Sequence, residues 1–296
     1  MSPSKRRPVA ALVVLLAAAQ LSCGDVGLAP DPIAADEAVL LAAGDVASCL
    51  SRGDEKTADL LDRLPGTIAA LGDDVYERGL ALEYDLCYTP SWGRHRERTR
   101  PVPGNHDYGV RGAAPYYAYF GAAAGERGVG YYSYDLGAWH IVALNSEVAH
   151  GAGSAQEQWL RADLAAHPAR CTLAYAHRPR FSSGAEHGSD AAMQPLWQAL
   201  YDAGADVVLA GHDHDYERFA AQGPAGTKDA ERGLREFVVG TGGRGLRSFG
   251  AVAPNSEVRF AGELGILELR LKADGYSWRF HPVSGSFQDE GTGACH

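Results

Sequence analysis

Residues 66–79 read GTIAALGDDVYERG, and how this stretch is divided decides the rest. GTIAALGD (66–73) is a short apolar run of strand length that ends in Gly72 and Asp73, the first of the paired carboxylates Asp73 and Asp74. An apolar run bounded by turn residues is the signature of a buried strand. Tyr76 follows the first carboxylate by three residues, and it is either a core aromatic near a turn or part of a metal site. The choice depends on what else in the chain can reach the same place.

The same pattern recurs on both sides. AVLLAAGD (38–45), CTLAYAH (171–177) and DVVLAGH (206–212) are apolar runs ending in polar residues. Amphipathic segments separate them: DEKTADLLDRL (54–64), SAQEQWLRADLAAH (154–167) and DAAMQPLWQALYDAG (190–204), the last ending at Gly204. Ser154 and Glu157 have capping-box spacing. GYYSYDLGAWHIVAL (130–144), LREFVVG (234–240) and LGILELRLKADGYSWRFHPV (264–283) alternate with period two and predict hairpins. Mixed βα units and hairpins predict an α/β protein: a two-sheet β-sandwich with βαβαβ motifs, flanked by helices. Nothing from 38 to 296 reads as a linker, so one domain is expected there.

Each apolar strand ends in a polar cluster: Asp45; Asp73 with Tyr76; Asn105 and His106 after RTRPVPG; His177; and His212 with His214. Open α/β sheets bind ligands beyond the carboxyl ends of their strands, so neighbouring strands would gather the clusters along one edge. Gly44, Gly72, Gly104 and Gly211 precede the clusters and are expected to supply sharp turns. Two metal ions roughly 3.5–4 Å apart need an anionic bridge, which a carboxylate provides. Asn105 adds a neutral oxygen donor, and His212 and His214, two apart, project to the same side of an extended segment. Imidazole, carboxylate and amide donors suit zinc, iron, manganese or nickel.

The order GD, GDxxY, GNH(D/E), H, GHxH resembles the calcineurin-like metallophosphoesterases, and GHDHDYER (211–218) is close to the GHxHxYER signature of their purple acid phosphatase branch. The match spans nearly all of 38–296 and looks like the short form without an added N-terminal β-domain. Many such enzymes place a histidine two residues after the first aspartate, where this chain has Ala47. In the purple branch the tyrosine of GDxxY takes that role. The resemblance therefore implies metal 1 on Asp45, Asp73, Tyr76 and His214, and metal 2 on Asp73, Asn105, His177 and His212. A phenol with a pKa of about 10 binds as phenolate most readily to Fe(III), so iron is expected at metal 1, with Zn, Fe or Mn at metal 2. His106 matches a residue beside the leaving group, and Asn105 and His106 would face substrate. His187 matches a second substrate-facing histidine, on a loop where solvent exposure is equally open. Arg178 stands where many relatives have histidine; its guanidinium either grips phosphate or, the simpler reading, is a surface charge. Asp74, His95, His140, His150 and His167 have no matching role and read as structural or exposed, and Glu217 with Arg218 as a loop-supporting ion pair.

The expected reaction is hydrolysis of a small phosphate monoester by in-line attack of a metal-bound hydroxide, with inversion at phosphorus, since no Ser, Thr or Cys lies in the motifs as nucleophile. Phosphodiesters, nucleotides or pyrophosphate are alternatives at the same site. A metal-binding surface lipoprotein without turnover, or an iron redox protein, would use it otherwise.

Lys5 to Arg7 followed by the apolar run Val9–Ala19 form an export signal, shorter than the roughly 20 residues a membrane span needs. Cys23 after Leu21 and Ser22 resembles a bacterial lipoprotein box, with leucine one place late; ordinary cleavage after Ala19 is the other reading. Segments 1–22 (signal), 23–37 (tether) and 38–296 (catalytic domain) follow, with export to the periplasm, cell surface or medium. Membrane attachment is expected only through lipid on Cys23. Loss of residues 1–22 takes the formal charge from −10 to −13. Such an acidic body argues against nucleic acid and anionic membrane as partners, and phosphate must be held by local cations. Four further cysteines suit an oxidising compartment. The pairings Cys49–Cys87 and Cys171–Cys295 are favoured, the first tying loops near the motifs and the second stapling the C-terminal tail.

Overall fold

The structure is a computed structural model that describes Met1, Pro3 and residues 37–296. The export signal (those two positions apart), Cys23 and the tether up to Asp36 thus lie outside the described residues. From residue 37 onward the chain belongs to one compact unit, Pro32–His296. In chain order its first half comprises β1 (Ala38–Ala43), β2 (Ala47–Ser48), α1 (Gly53–Leu61), β3 (Thr67–Leu71), β4 (Val75–Tyr76), α2 (Ala81–Glu83), β5 (Thr99–Val102), α3 (Ala114–Phe120), β6 (Tyr132–Leu136) and β7 (Trp139–Ala143). Then come α4 (Ala155–Ala166), β8 (Cys171–Tyr175), α5 (Gln194–Asp202), β9 (Val207–Ala210), β10 (Tyr216–Phe219), β11 (Arg235–Val239), β12 (Ser256–Phe260), β13 (Gly265–Lys272), β14 (Gly275–Pro282) and β15 (Glu290–Ala294).

The strands form two large sheets, ordered β15-β14-β13-β1-β3-β5 and β12-β10-β11-β9-β8-β7-β6, and a two-stranded β2-β4 pair. This is the two-sheet sandwich the periodicity predicts. Strands β7, β8, β9 and β11 run parallel and are buried on both faces. Leu173 and Tyr175 of β8 and Val207 and Leu209 of β9 point into the space between the sheets. Ala174 and Val208, one residue over, pack outward with Leu160 and Leu164 of α4 and Leu196, Trp197 and Leu200 of α5. Double burial explains why these strands read as unbroken apolar runs.

Helix α4 starts where the capping box was expected, with Ser154 Oγ accepting the Glu157 N–H at 3.2 Å. The return bond differs by one residue: Glu157 Oε2 accepts from Gly153, and the Ser154 N–H goes to Gly151 O. The hairpins β6–β7 and β13–β14 form as patterned. LREFVVG does not form one with its sequence neighbour alone. Its strand β11 lies inside the second sheet, parallel to β9 and antiparallel to β10, because burial on both sides favours the same apolar run as a hairpin arm.

The Cα atoms of Cys49 and Cys87 are 5.2 Å apart and those of Cys171 and Cys295 are 5.4 Å apart, and both pairs form disulfides. The second spans 124 residues and fixes the outer strand of the first sheet to the start of β8 in the second. Closing so long a loop removes much chain entropy from the unfolded state. Cys295→Ser is expected to cost roughly 2–5 kcal/mol in urea unfolding and to leave the metal content of the folded protein unchanged.

Candidate metal centre

The strand-end clusters meet, though along two sheets rather than one edge. Asp45, Asp73 and Asn105 follow β1, β3 and β5 of the first sheet; His177, His212 and His214 follow β8 and β9 of the second. The expected glycine turns are mostly something else. Among the four glycines only Gly72 has positive φ, at 83°. Gly104 is needed for close approach, since a Cβ there would lie 2.2 Å from Asp73 Oδ1. The left-handed backbone falls instead on Asp45 (φ 62°), Asp73 (φ 51°) and His212 (φ 71°). Left-handed non-glycine residues cost about 1–3 kcal/mol each and persist only where the surroundings impose them.

The seven expected donors converge in two groups that share one atom. Tyr76 Oη lies 2.7 Å from Asp45 Oδ1, 3.1 Å from Asp73 Oδ2 and 3.2 Å from His214 Nε2. His177 Nε2 lies 3.4 Å from the same Asp73 Oδ2, 3.2 Å from Asn105 Oδ1 and 3.1 Å from His212 Nδ1. The outer nitrogens fix the tautomers. His177 Nδ1–H donates to Leu71 O at 2.9 Å and His214 Nδ1–H to Gly245 O at 2.9 Å, so each Nε2 offers a lone pair inward. Carboxylate, amide oxygen and imidazole lone pairs thus face one another in a buried space with too few donors among them. A cation of the harder or borderline kind fits that donor set.

The charges respond accordingly. Burial alone would depress His177, but Asp73 beside it and Asp45 beyond raise its pKa to about 10. Burial would raise Asp45; His214 and His177 more than offset it and hold the carboxyl well below the usual range. His212 is pushed far down by burial and by the neighbouring His177, His187 and Arg178. Tyr76 is raised well above 10 by burial and by Asp45 and Asp73, so its phenolate form requires a cation at that oxygen.

Around the donors sits a rim of side chains. His106 donates its backbone N–H to Asp73 Oδ1 (2.7 Å) and its Nδ1–H to Glu77 O (2.7 Å), and its Nε2 lies 3.9 Å from Asp73 Oδ2 on a ring 30% exposed. His187 stacks on His212 with centroids 4.0 Å apart, and its Nε2 meets Arg247 Nη1 at 2.8 Å. Arg178 is no stray surface charge: Glu147 grips it through Nε (2.7 Å) and Nη2 (3.0 Å), and Nη1 reaches His212 Nε2 at 3.3 Å.

Several residues escaped the sequence reading. The loop GTGGRGLRSFG (240–250) donates Gly242 N–H to Gly44 O, Arg244 N–H to Asp45 O and Arg247 N–H to His214 O. It thereby hangs two guanidinium groups at the rim, Arg244 over the Tyr76 ring at 5.1 Å. Its glycine density was the only signal. Asp107, last in GNHD, is buried; it accepts from Gly104 N (2.8 Å) and Tyr84 Oη (2.6 Å) and shapes the Asn105 turn. Burial and Asp73 raise its pKa to about 7. Asp213, between two donors, points the opposite way and holds the His187 loop by accepting from Ser182 Oγ and Gly188 N.

The expected Glu217–Arg218 pair does not form. Adjacent residues of β10 face opposite sides of the sheet. Glu217 accepts from Ser183 N at 2.7 Å, whereas Arg218 pairs with Asp289 at 2.8 Å and with Glu257. Asp74 is buried behind the site, His95 lies 2.8 Å from Asp62, and His150 bonds Val148 O.

The fold and donor set define a metal-dependent phosphoesterase scaffold. The calcineurin-like phosphoesterase profile matches residues 23–216, and the chain belongs to that family. It is similar to purple acid phosphatase 15 of Arabidopsis thaliana, 32% identical over 150 residues that cover 43% of this chain and 27% of that protein. Purple acid phosphatase 21 of the same plant is 35% identical over 139 residues, covering 44% and 31%. The matches thus span under a third of these relatives' length. Among solved structures, a purple acid phosphatase from yellow lupin (Lupinus luteus) seeds superposes with a TM-score of 0.70 at 17% identity, over 89% of this chain and 55% of that one. GAP50, an inner-membrane-complex anchor of Plasmodium, gives 0.64 at 15% identity over 88% of each.

Saturating metal at about 100 times its Kd stabilises a protein by about 2.7 kcal/mol. For a domain this size that is a melting shift of roughly 5–10 °C. Chelator treatment is expected to lower the wild-type melting temperature by that amount, and to leave Asp73→Asn, which loses the shared anionic oxygen, almost unchanged.

Proposed function

We propose that residues 38–296 are the catalytic domain of an exported phosphatase, behind a signal at 1–22 and a tether at 23–37, that hydrolyses phosphate monoesters at a pair of metal ions. The carrying observation is the pair of donor groups meeting at one oxygen, Asp73 Oδ2. Asp45, Asp73, Tyr76 and His214 would hold the first ion and Asp73, Asn105, His177 and His212 the second. The phenol donor favours Fe(III) at the first, and the nitrogen-rich second group suits Zn, Fe or Mn. When bound, the ions supply Lewis acidity toward the phosphoryl oxygens and the attacking water.

The chain's own side chains then divide the remaining work. Arg178, Arg244 and Arg247 stand at the rim, each held by a glutamate, as guanidinium donors that a phosphoryl group could engage. His106 has its Nδ1–H committed to Glu77 O and its Nε2 3.9 Å from Asp73 Oδ2, which supports a place for that nitrogen beside a bound phosphoryl group. A proton carried on that nitrogen could pass to the departing alcohol. Two disulfides fit the oxidising environment that export implies.

His106→Ala is expected to lower kcat for an aryl phosphate by roughly 10²–10⁴-fold while metal content and KM stay near wild type. Unchanged kcat would remove His106 from this role. An absorption spectrum with metal analysis tests the first ion: iron-loaded wild type should show a visible band that Tyr76→Phe lacks. A colourless protein with two zinc or manganese ions would leave the hydrolase reading and return Tyr76 to packing.

A further inference from the structure

Three acceptor-rich side chains gather at the opposite end of the second sheet. His140, 2% exposed, lies near the start of β7; Asp163 is on α4 and His167 follows its last turn. Strands β7 and β8 are parallel with His140 opposite Thr172, so this cluster sits five residues, roughly 16 Å of strand, from His177. One nitrogen or oxygen from each of the three lies within 4.8 Å of the others, and the two rings stack at 5.0 Å and 15°.

The supporting contacts have the form that metal-bound imidazoles take. His140 Nδ1 faces Asp135 Oδ1 at 3.1 Å, and His167 Nδ1 faces Asp163 O at 3.0 Å and Asp163 Oδ1 at 3.3 Å. With a proton on each Nδ1, both Nε2 atoms carry lone pairs. His140 Nε2 then points one at Asp163 Oδ2 from 2.9 Å. Two acceptors that close repel unless a proton or a cation lies between them. Asp163 Oδ1 takes a hydrogen bond from Ser133 Oγ at 2.8 Å, which orients the carboxylate. Ser133, Asp135 and His140 come from one hairpin, in which Asp135 is paired with His140. His167, the C-cap residue of α4, comes four residues after Asp163.

We infer that His140, Asp163 and His167 form an auxiliary binding site for a borderline divalent ion, Zn²⁺ or Ni²⁺, that clamps α4 to the β6–β7 edge. Two imidazoles and one carboxylate match the three-ligand zinc site with a fourth position left to water. The carboxylate–imidazole and carbonyl–imidazole bonds behind them supply the orienting contacts such sites use. His167, with its side chain 53% exposed, puts the site within reach of solvent, where an ion can enter. The competing arrangement is a charged His140 held between Asp135 and Asp163 as an ion pair with no metal. The inference does not depend on the phosphoester reading.

Equilibrium dialysis of the full chain against micromolar free zinc, with total metal per chain counted, separates the two. Wild type is expected to hold one more zinc than His167→Ala, and a zinc-dependent rise in melting temperature should shrink in the variant. His167→Gln, which keeps the bulk and a hydrogen bond to Asp163, should lose the same equivalent. Turnover at the main centre should be unaltered in both. Equal zinc content in the three proteins overturns the site and leaves the ion pair.

Discussion

A carboxylate that cannot stay buried alone governs this architecture. Asp73 is 1% exposed and contributes one oxygen to each of two demands. Oδ1 receives the His106 N–H, while Oδ2 faces both Tyr76 and His177. Burying such a charge without a counter-charge costs far more than one fold can absorb. The surroundings are therefore built to compensate it, and His177 at a pKa of about 10 shows how strongly that position attracts a positive charge. Protons and metal ions compete for the same place, as they do wherever imidazole and carboxylate share a cation.

The demand explains the backbone. Asp45, Asp73 and His212 all adopt left-handed conformations, and each is caught by bonds from distant segments. Asp45 N–H reaches Gly72 O, Val46 N–H reaches Asp73 O, and His212 N–H reaches Asp45 Oδ2 at 2.8 Å. Strain at each turn is offset by ties to another turn, so the donors are positioned collectively. Gly104 belongs to the same scheme, its missing side chain being what lets the Asn105 turn close on Asp73.

Charge is arranged in layers around that centre. Acidic donors occupy the middle, imidazoles surround them, and Arg178, Arg244 and Arg247 form the rim, each paired in turn with Glu147, Glu77 and Glu186. Those outer glutamates hold the guanidinium groups in place while leaving them beside the opening. Each rim charge is thus balanced by its own glutamate, and the guanidinium N–H groups are held in fixed positions.

That these seven polar side chains gather at one place was legible because strand ends constrain position. Asp45, Asp73, Tyr76, Asn105, His177, His212 and His214 each follow an apolar run whose period and length mark it as a strand, and local pattern suffices for that. The α/β sandwich is legible for the same reason, since doubly buried strands must be apolar throughout. What only the tertiary structure decided is everything that depends on contact across sequence distance. It assigns the strands to two sheets, directs Glu217 away from Arg218, brings the 240–250 loop beneath His214, and selects Nδ1 of His212 but Nε2 of His177. These outcomes depend on backbone turns imposed by segments far apart in sequence, such as the 167 residues between Asp45 and His212, and a side chain's direction follows the turn that carries it.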